Sequence, residues 1–269
     1  MTQTQTARRR AVVTGAAGGI GLALVEALLA RGDRVVAADL DADRLADVAE
    51  RLGIDVWAGD VASEAGVASL IAFADERLGS IDAYFANAGV FRGSGLAASE
   101  ADWSASIEVN VMAHVRAART LVPRWSLEQP GVFAVTASAA GLLTQLGSPT
   151  YSASKHAAVG FAEWLAATYG DQGVHVSALC PMGVATPMAE LGRTTSDPDE
   201  RLGHRAVVSS GEVLSAELAA DVLLQAIDEK RFLALPHETV QKMYAGKAGD
   251  PDKWLASMQA FRAHLETTA

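Results

Sequence analysis

The chain has 269 residues, 50% of them hydrophobic, and a formal charge of -10 from 22 Lys plus Arg against 32 Asp plus Glu. That is enough apolar material for one sizeable core, and the acidic balance argues against a nucleic-acid partner, because phosphates need a cationic face. Cys180 is the lone cysteine, which excludes an intrachain disulfide and any cysteine-based metal cluster.

The basic run Arg8-Arg9-Arg10 reads as a solvated start to the first strand. Met1 to Arg10 is polar and holds no signal-peptide core. No apolar stretch reaches the roughly 20 residues that span a bilayer. With a single cysteine this suits a reducing, cytoplasmic setting without a membrane partner.

Short apolar runs then alternate with helical periodicity. Strands are predicted at Arg10–Thr14, Arg34–Ala38, Ile54–Ala58, Ile81–Ala86, Gly131–Thr136 and Val174–Cys180. Helices are predicted at Ile20–Arg31, Ala42–Leu52, about Ser63–Leu78, one long run over Glu100–Arg124, and Pro149–Gly170. Continuous apolar strands imply burial on both faces. Repeated βα units of this kind predict a doubly wound parallel sheet, a Rossmann fold, in a single α/β domain over 1–269. Thr186 to Ser210 looks irregular and reads as a substrate lid. A helix follows from Ser215, as N-cap, to Asp228. After a last strand at Phe232–Leu235, a C-terminal extension over 236–269 reads as two short helices separated by Gly246 to Pro251.

Between the first strand and helix stands Thr14-Gly15-Ala16-Ala17-Gly18-Gly19-Ile20-Gly21. Glycines let the backbone turn sharply and approach a pyrophosphate, which the helix N-terminus then attracts. A tight connection is the bland alternative. Asp39 ends the second strand, where a carboxylate can accept from both hydroxyls of an adenosine ribose and repel a 2′-phosphate; Asp41 is a nearby competitor. Asp60-Val61 follows the third strand and could contact adenine.

Tyr151 and Lys155 stand at i and i+4 and share a helix face. A free phenol has a pKa of about 10, and a fixed ammonium nearby favours the phenolate. A proton shuttle beside a hydride transfer needs such a group. Ser138 follows the fifth strand, where a hydroxyl points into the ligand crevice of an open sheet. Surface decoration and turn capping are the plain alternatives for these residues.

Together these residues resemble the short-chain dehydrogenase/reductase family over nearly the whole chain. The matches are the Thr14–Gly21 turn, Asp60, Asn87-Ala88-Gly89, Asn110, Ser138, Tyr151-Ser152-Ala153-Ser154-Lys155 and Pro181-Met182-Gly183-Val184-Ala185-Thr186, in matching order and spacing. The resemblance implies an NAD(H)-dependent oxidoreductase interconverting a secondary alcohol and a ketone. Tyr151 would be the general acid/base. Lys155 would lower its pKa and hold the nicotinamide ribose, Ser138 would orient the substrate oxygen, and Asn110 would hold a relay water. Gly15, Gly18, Gly19, Ile20, Gly21, Asp39, Asp60 and Val61 would bind the adenosine and pyrophosphate side of NAD. Asn87, Ala88 and Gly89 would line the cleft. Pro181, Gly183, Val184 and Thr186 would meet the nicotinamide. Homodimers or homotetramers through the helices at Glu100–Arg124 and Pro149–Gly170 are also implied.

Two departures stand out. The family often has Asn where Ala86 stands, and Gly where Met182 stands. Met182 either narrows the pocket or points into the core. Val90, Phe91, Leu142, Leu143, Met188 and Leu191 suggest a mostly apolar substrate. The six histidines show no ligand spacing. Trp254, Leu255, Met258, Phe261 and Leu265 form an apolar stripe that calls for burial in the same or another subunit. A non-catalytic nucleotide sensor, or a dehydratase or epimerase on the same fold, are the rival functions. The sensor would not need Ser, Tyr and Lys in catalytic register.

Overall fold

A computed structural model describes residues 8–190 and 193–267. Residues 1–7 of the polar amino-terminal stretch, and Leu191 of the expected pocket, lie outside the described residues.

Seven parallel strands form one sheet in the order β3-β2-β1-β4-β5-β6-β7. They are β1 Arg10–Thr14, β2 Arg34–Asp39, β3 Asp55–Ala58, β4 Ala83–Ala86, β5 Gly131–Thr136, β6 Val174–Leu179 and β7 Leu233–Ala234. The helices up to β6 are α1 Gly19–Ala30, α2 Ala42–Leu52, α3 Glu64–Leu78, α4 Glu100–Ile107, α5 Ala113–Leu121 and α6 Pro149–Tyr169. Pairings such as Val12 with both Val36 and Tyr84 keep the central strands in register. Strand order reverses between β1 and β4, so the connections leave in opposite directions there and open a crevice at the strands' carboxyl ends.

Successive strand residues point to opposite faces, and both faces are covered. Val12, Tyr84, Phe133 and Val135 pack with Leu70, Leu121 and Leu165 on one side. Val13, Phe85 and Leu179 pack with Leu24, Leu28, Leu223 and Leu224 on the other. These seven residues of the second face, like their partners opposite, are almost wholly removed from water. Each such side chain contributes about 1.5–3 kcal/mol. The doubly wound α/β expectation therefore holds.

Three local expectations need correction. The run Glu100–Arg124 is not one α-helix: a π-helical turn at Glu108–Met112 joins α4 to α5, and a 3₁₀ turn follows at Val122–Arg124. That wide turn carries the buried Asn110, whose side chain bonds outward to Val90 and Ser154.

The segment read as an irregular lid over 186–210 contains α7 Pro187–Glu190 and α8 Pro198–Ser209. The start signal of α8 is plain: Asp197 caps Asp199 and Glu200, with Pro198 in the first turn.

The C-terminal helices are longer than expected. After α9 Ala216–Asp228 come α10 Glu238–Gly249 and α11 Pro251–Thr267, separated only by Asp250. Pro251 starts the second instead of prolonging a break. Leu265 and Phe261 of α11 pack with Leu202 and Ala206 of α8, so much of the apolar stripe is covered within the chain, while Leu255 stays 54% exposed. Among the described residues, no helix is long and apolar enough to cross a membrane.

Candidate active site

A cleft of about 620 Å³ opens at the carboxyl ends of the strands. Its floor begins at the glycine turn. Gly15 and Gly19 take positive φ, at +65° and +54°, which side chains other than glycine rarely adopt. Gly21 does not line the cleft. It faces backwards, and a Cβ there would sit 2.0 Å from the Gly15 carbonyl oxygen. That contact lets α1 start hard against the turn.

Thr14 and Asn87 lock this turn to β4. The Thr14 hydroxyl donates to the Phe85 carbonyl and accepts from the amides of Asn87 and Ala88. The Asn87 amide group donates to the carbonyls of Thr14 and Gly15 at 2.9 and 3.2 Å. Thr14 was visible in the motif only as its first letter. Its bracing role follows from the β1–β4 pairing, which a single sequence does not show.

At one end of the cleft Asp39 accepts from the Ala17 amide at 2.9 Å and from the Asp41 amide at 3.1 Å. Its carboxylate is thereby held beside Gly18. Asp41 instead caps α2 through Arg44, so the competing carboxylate is committed to the helix. Asp60 and Val61 border the same end. Arg44, which the glycine-turn reading left out, also borders it, paired with Asp41 at 3.3 Å.

The other end gathers Ser138, Tyr151 and Lys155 with Ala88, Gly89 and Pro181. Ser148 caps α6 and Pro149 occupies its first turn, which sets the helix phase. Tyr151 then packs against Phe91, ring centres 4.9 Å apart and planes tilted by 46°, with the Lys155 ammonium 5.6 Å from its ring centre. Lys155 donates to the Thr136 carbonyl at 2.9 Å. Burial pulls its ammonium down to about 8. Burial also pushes the Tyr151 phenol above its ordinary value, and a hydrogen bond from Ser138 pulls the other way. Ser138 itself caps a 3₁₀ turn at Ala139–Gly141, accepting from the Ala140 amide.

Asn110 lies behind this group, outside the cleft lining. It accepts from the Val90 amide at 2.8 Å and donates to the Ser154 hydroxyl at 3.0 Å. A Cβ on Gly89 would fall 3.2 Å from Asn110 Oδ1 and 3.3 Å from Lys155 Nζ. Glycine there keeps the space between the amide and the ammonium clear.

Gly183, Val184 and Thr186 line the far wall. Val184 bridges to Leu214. Met182 borders the cleft and is partly buried against the core, with its sulfur 3.8 Å from the exposed Thr239 hydroxyl. The Gly183 position turns toward Val207 and Val213. Of the expected apolar lining, Val90, Phe91, Leu143 and Met188 face the cleft; Leu142 is buried behind them. The C-terminal helices add Met243, Trp254, Met258 and Phe261. The sequence flagged three of these as a stripe but not their place over the site, which depends on how α11 folds back onto α8.

Burial pushes the Cys180 thiol up to about 12, so it packs as a neutral apolar group. His114, one turn past Asn110, is buried with neither ring nitrogen partnered by protein. Burial, then the Lys155 charge, pulls its pKa down to about 3. The unfolded chain protonates this group near its ordinary value of 6.5, while the folded protein holds it neutral until about 3. Stability contributed by the neutral form is thus complete above pH 6.5 and is lost progressively as pH falls toward 3. His114→Leu should lose less thermal stability than the parent between neutral pH and pH about 5. Parallel falls in Tm for the two proteins would contradict this.

Comparison with known proteins agrees with this geometry. A family model described as short chain dehydrogenase matches residues 9–197. The 1-deoxy-11-beta-hydroxypentalenate dehydrogenase of Streptomyces avermitilis is 36% identical over 91% of each chain. The 2-(R)-hydroxypropyl-CoM dehydrogenase of Xanthobacter autotrophicus is 32% identical over 80% of this chain and 90% of that protein. A short chain dehydrogenase/reductase from Burkholderia phymatum, solved in complex with NAD, superposes with a TM-score of 0.80 at 32% identity, covering 90% of this chain and 93% of its own. A parallel sheet with a braced glycine turn, a Ser–Tyr–Lys group at the strand ends and these relatives have one explanation: the chain is an oxidoreductase belonging to the short-chain dehydrogenase/reductase family.

Proposed function

We propose that the protein interconverts a bulky, mostly apolar secondary alcohol and its ketone with NAD(H). The observation that carries this reading is the convergence of Ser138, Tyr151 and Lys155 at one end of a cleft whose other end holds Asp39. A sensor would need only the second end.

The residues fit the coenzyme. The turn presents Gly15, Gly18 and Gly19 to the cleft, and Gly18 has open space beside it for a pyrophosphate to approach. Asp39 offers a carboxylate to ribose hydroxyls. Arg44, the nearby cation, is paired with Asp41 at 3.3 Å. Asp60 and Val61 would border the adenine, and Pro181, Gly183, Val184 and Thr186 the nicotinamide. When bound, the coenzyme supplies the acceptor or donor of hydride.

The chain's residues manage the proton. The Ser138 hydroxyl holds the substrate oxygen. Tyr151 Oη takes the hydroxyl proton in oxidation and returns it in reduction. The Lys155 ammonium favours the phenolate that oxidation requires and anchors the nicotinamide ribose. Asn110 fixes Ser154 and the Val90 backbone and, as the family resemblance implies, would hold the water that links Lys155 to solvent. Phe91, Leu146, Met243, Trp254 and Phe261 give the substrate an apolar enclosure with few charges. The chain-wide relative from Streptomyces carries a dehydrogenase name for a hydroxylated compound, which supports a hydroxyl substrate. Copies pair into a homodimer or homotetramer through α4–α5 and α6, where Trp164 is 53% exposed. The compartment is the cytoplasm.

The test compares coenzymes on a panel of cyclohexanol, decalin alcohols and steroid alcohols, following NADH or NADPH absorbance. NAD should be preferred by at least about tenfold in kcat/KM, the scale of one charge–phosphate conflict. Asp39→Ser should narrow that gap. Equal kcat/KM with both coenzymes would refute the role of Asp39, and a protein inactive on the whole panel would refute the substrate class.

A further inference from the structure

The C-terminal helix α10 touches the rest of the protein at few points. From His237 to Gly249, only His237, Val240, Met243 and Lys247 are not exposed. Their spacing puts all four on one face. Val240 is fully buried, and Met243 borders the cleft. The two polar residues at the ends of this face each grip a different segment of the active site.

Lys247 Nζ donates to the Leu142 and Leu143 carbonyls, both at 2.9 Å, and lies 3.2 Å from His156 Nε2. His156 Nδ1 bonds the Ser152 carbonyl at 2.8 Å, so Nδ1 carries that ring's proton and Nε2 accepts from Lys247. All three ammonium donors are used. The two carbonyls close the short turn that Ser138 caps.

His237 works at the other end. Its Nδ1 accepts from the Met182 amide at 3.3 Å, so Nε2 carries the proton and donates to the Glu212 carbonyl at 3.0 Å. Met182 sits between Pro181 and Gly183, on the wall assigned above to the nicotinamide. The two gripped segments also meet each other: the Ala139 amide donates to the Pro181 carbonyl at 2.8 Å. The serine turn, the Pro181–Met182 segment and α10 thus form a closed ring.

We propose that α10 is a strap across the cleft and that Lys247 and His237 are positioning residues, Lys247 for the Ser138 turn and His237 for the coenzyme-facing segment. This rests on the roles proposed above for Ser138 and for Pro181–Thr186. Because the rest of α10 is exposed, releasing one grip frees one loop and leaves the sheet core intact. The two releases therefore have different kinetic signatures.

Lys247→Met keeps the alkyl stem and removes the donors. It should lower kcat by roughly ten- to a hundredfold, the scale of a small misplacement at a reacting centre, and leave the Kd for NADH within about twofold of the parent. Lys247→Arg should recover most of the loss. His237→Ala should raise the Kd for NADH by about tenfold, the scale of one lost buried hydrogen bond, with a smaller effect on kcat. His237→Gln keeps one acceptor and one donor and should recover affinity.

The measurements are NADH binding by tryptophan fluorescence, turnover of the panel alcohol the parent oxidises fastest, and hydrogen exchange at the 140–143 amides. That exchange should quicken in Lys247→Met alone. The strap is overturned if Lys247→Met and His237→Ala match the parent, or if both lose kcat and affinity together with no recovery in the Arg and Gln variants. Failure of the underlying reading looks different. The parent then oxidises no panel alcohol, while NADH affinity and hydrogen exchange still report on the two grips.

Discussion

Tyr151→Phe should bind NADH within about twofold of the parent yet lose at least about a hundredfold in kcat, the scale of a removed general acid/base. The substitution deletes one oxygen and keeps the ring, so the tilted ring contact with Phe91 at 4.9 Å survives and the cleft keeps its shape. Lys155 stays on the Thr136 carbonyl, which does not depend on the phenol. What disappears is the atom that exchanges a proton with the substrate oxygen. Burial holds the phenol above its ordinary value and Ser138 counters it. Oxidation by the parent should therefore rise with pH as the phenolate is populated, and that dependence should vanish with the hydroxyl. Parent-like turnover in Tyr151→Phe would remove the mechanism proposed here.

Gly21→Ala should damage both stability and coenzyme binding. The added Cβ would meet the Gly15 carbonyl oxygen at 2.0 Å and Asn87 Nδ2 at 2.6 Å. The first neighbour is backbone and cannot rotate away. Relief requires α1 to back off the turn, which pulls Gly15 from the Asn87 bond that ties it to β4. Overpacking of this kind costs about 1–3 kcal/mol or more, or roughly 2–12 °C in Tm for a chain of this size. Affinity for NADH should fall by more than about tenfold, because the helix N-terminus moves with the turn. Gly18→Ala is the contrast: its φ of 179° is ordinary extended backbone and nothing lies within 4 Å of its Cβ site. It should leave Tm unchanged. Equal melting of Gly21→Ala and the parent would show that the turn and helix do not pack as described.

The sheet was legible because strand and helix periods alternate cleanly from Arg10 to Leu179, with glycines such as Gly15, Gly53, Gly79 and Gly173 at the boundaries. The Ser138–Tyr151–Lys155 group was legible because Tyr151 and Lys155 are local, one turn apart, and Ser138 closely follows a readable strand. The π-helical turn around Asn110 left no such mark, since it changes the phase of a helix without changing its apolar content. Alpha-helix α8 was missed although Asp197-Pro198-Asp199-Glu200 is a start signal; the surrounding Gly, Ser and Thr masked it. The grips of Lys247 and His237 join residues 105 and 55 positions apart. No local pattern encodes them. Lys155 was expected beside a lowered phenol, but the strength of burial around Tyr151 depends on the packing of Phe91 from a distant loop.

The central claim is that hydride leaves a carbinol carbon in this cleft for a nicotinamide while Tyr151 takes the proton. A decalin alcohol deuterated at its carbinol carbon, incubated with NAD and the full-length protein, tests it in one mass-spectrometric measurement of the reduced coenzyme. The account predicts deuterium in the NADH formed by the parent and almost no labelled NADH from Tyr151→Phe. Unlabelled NADH, or equal labelling by both proteins, would contradict it.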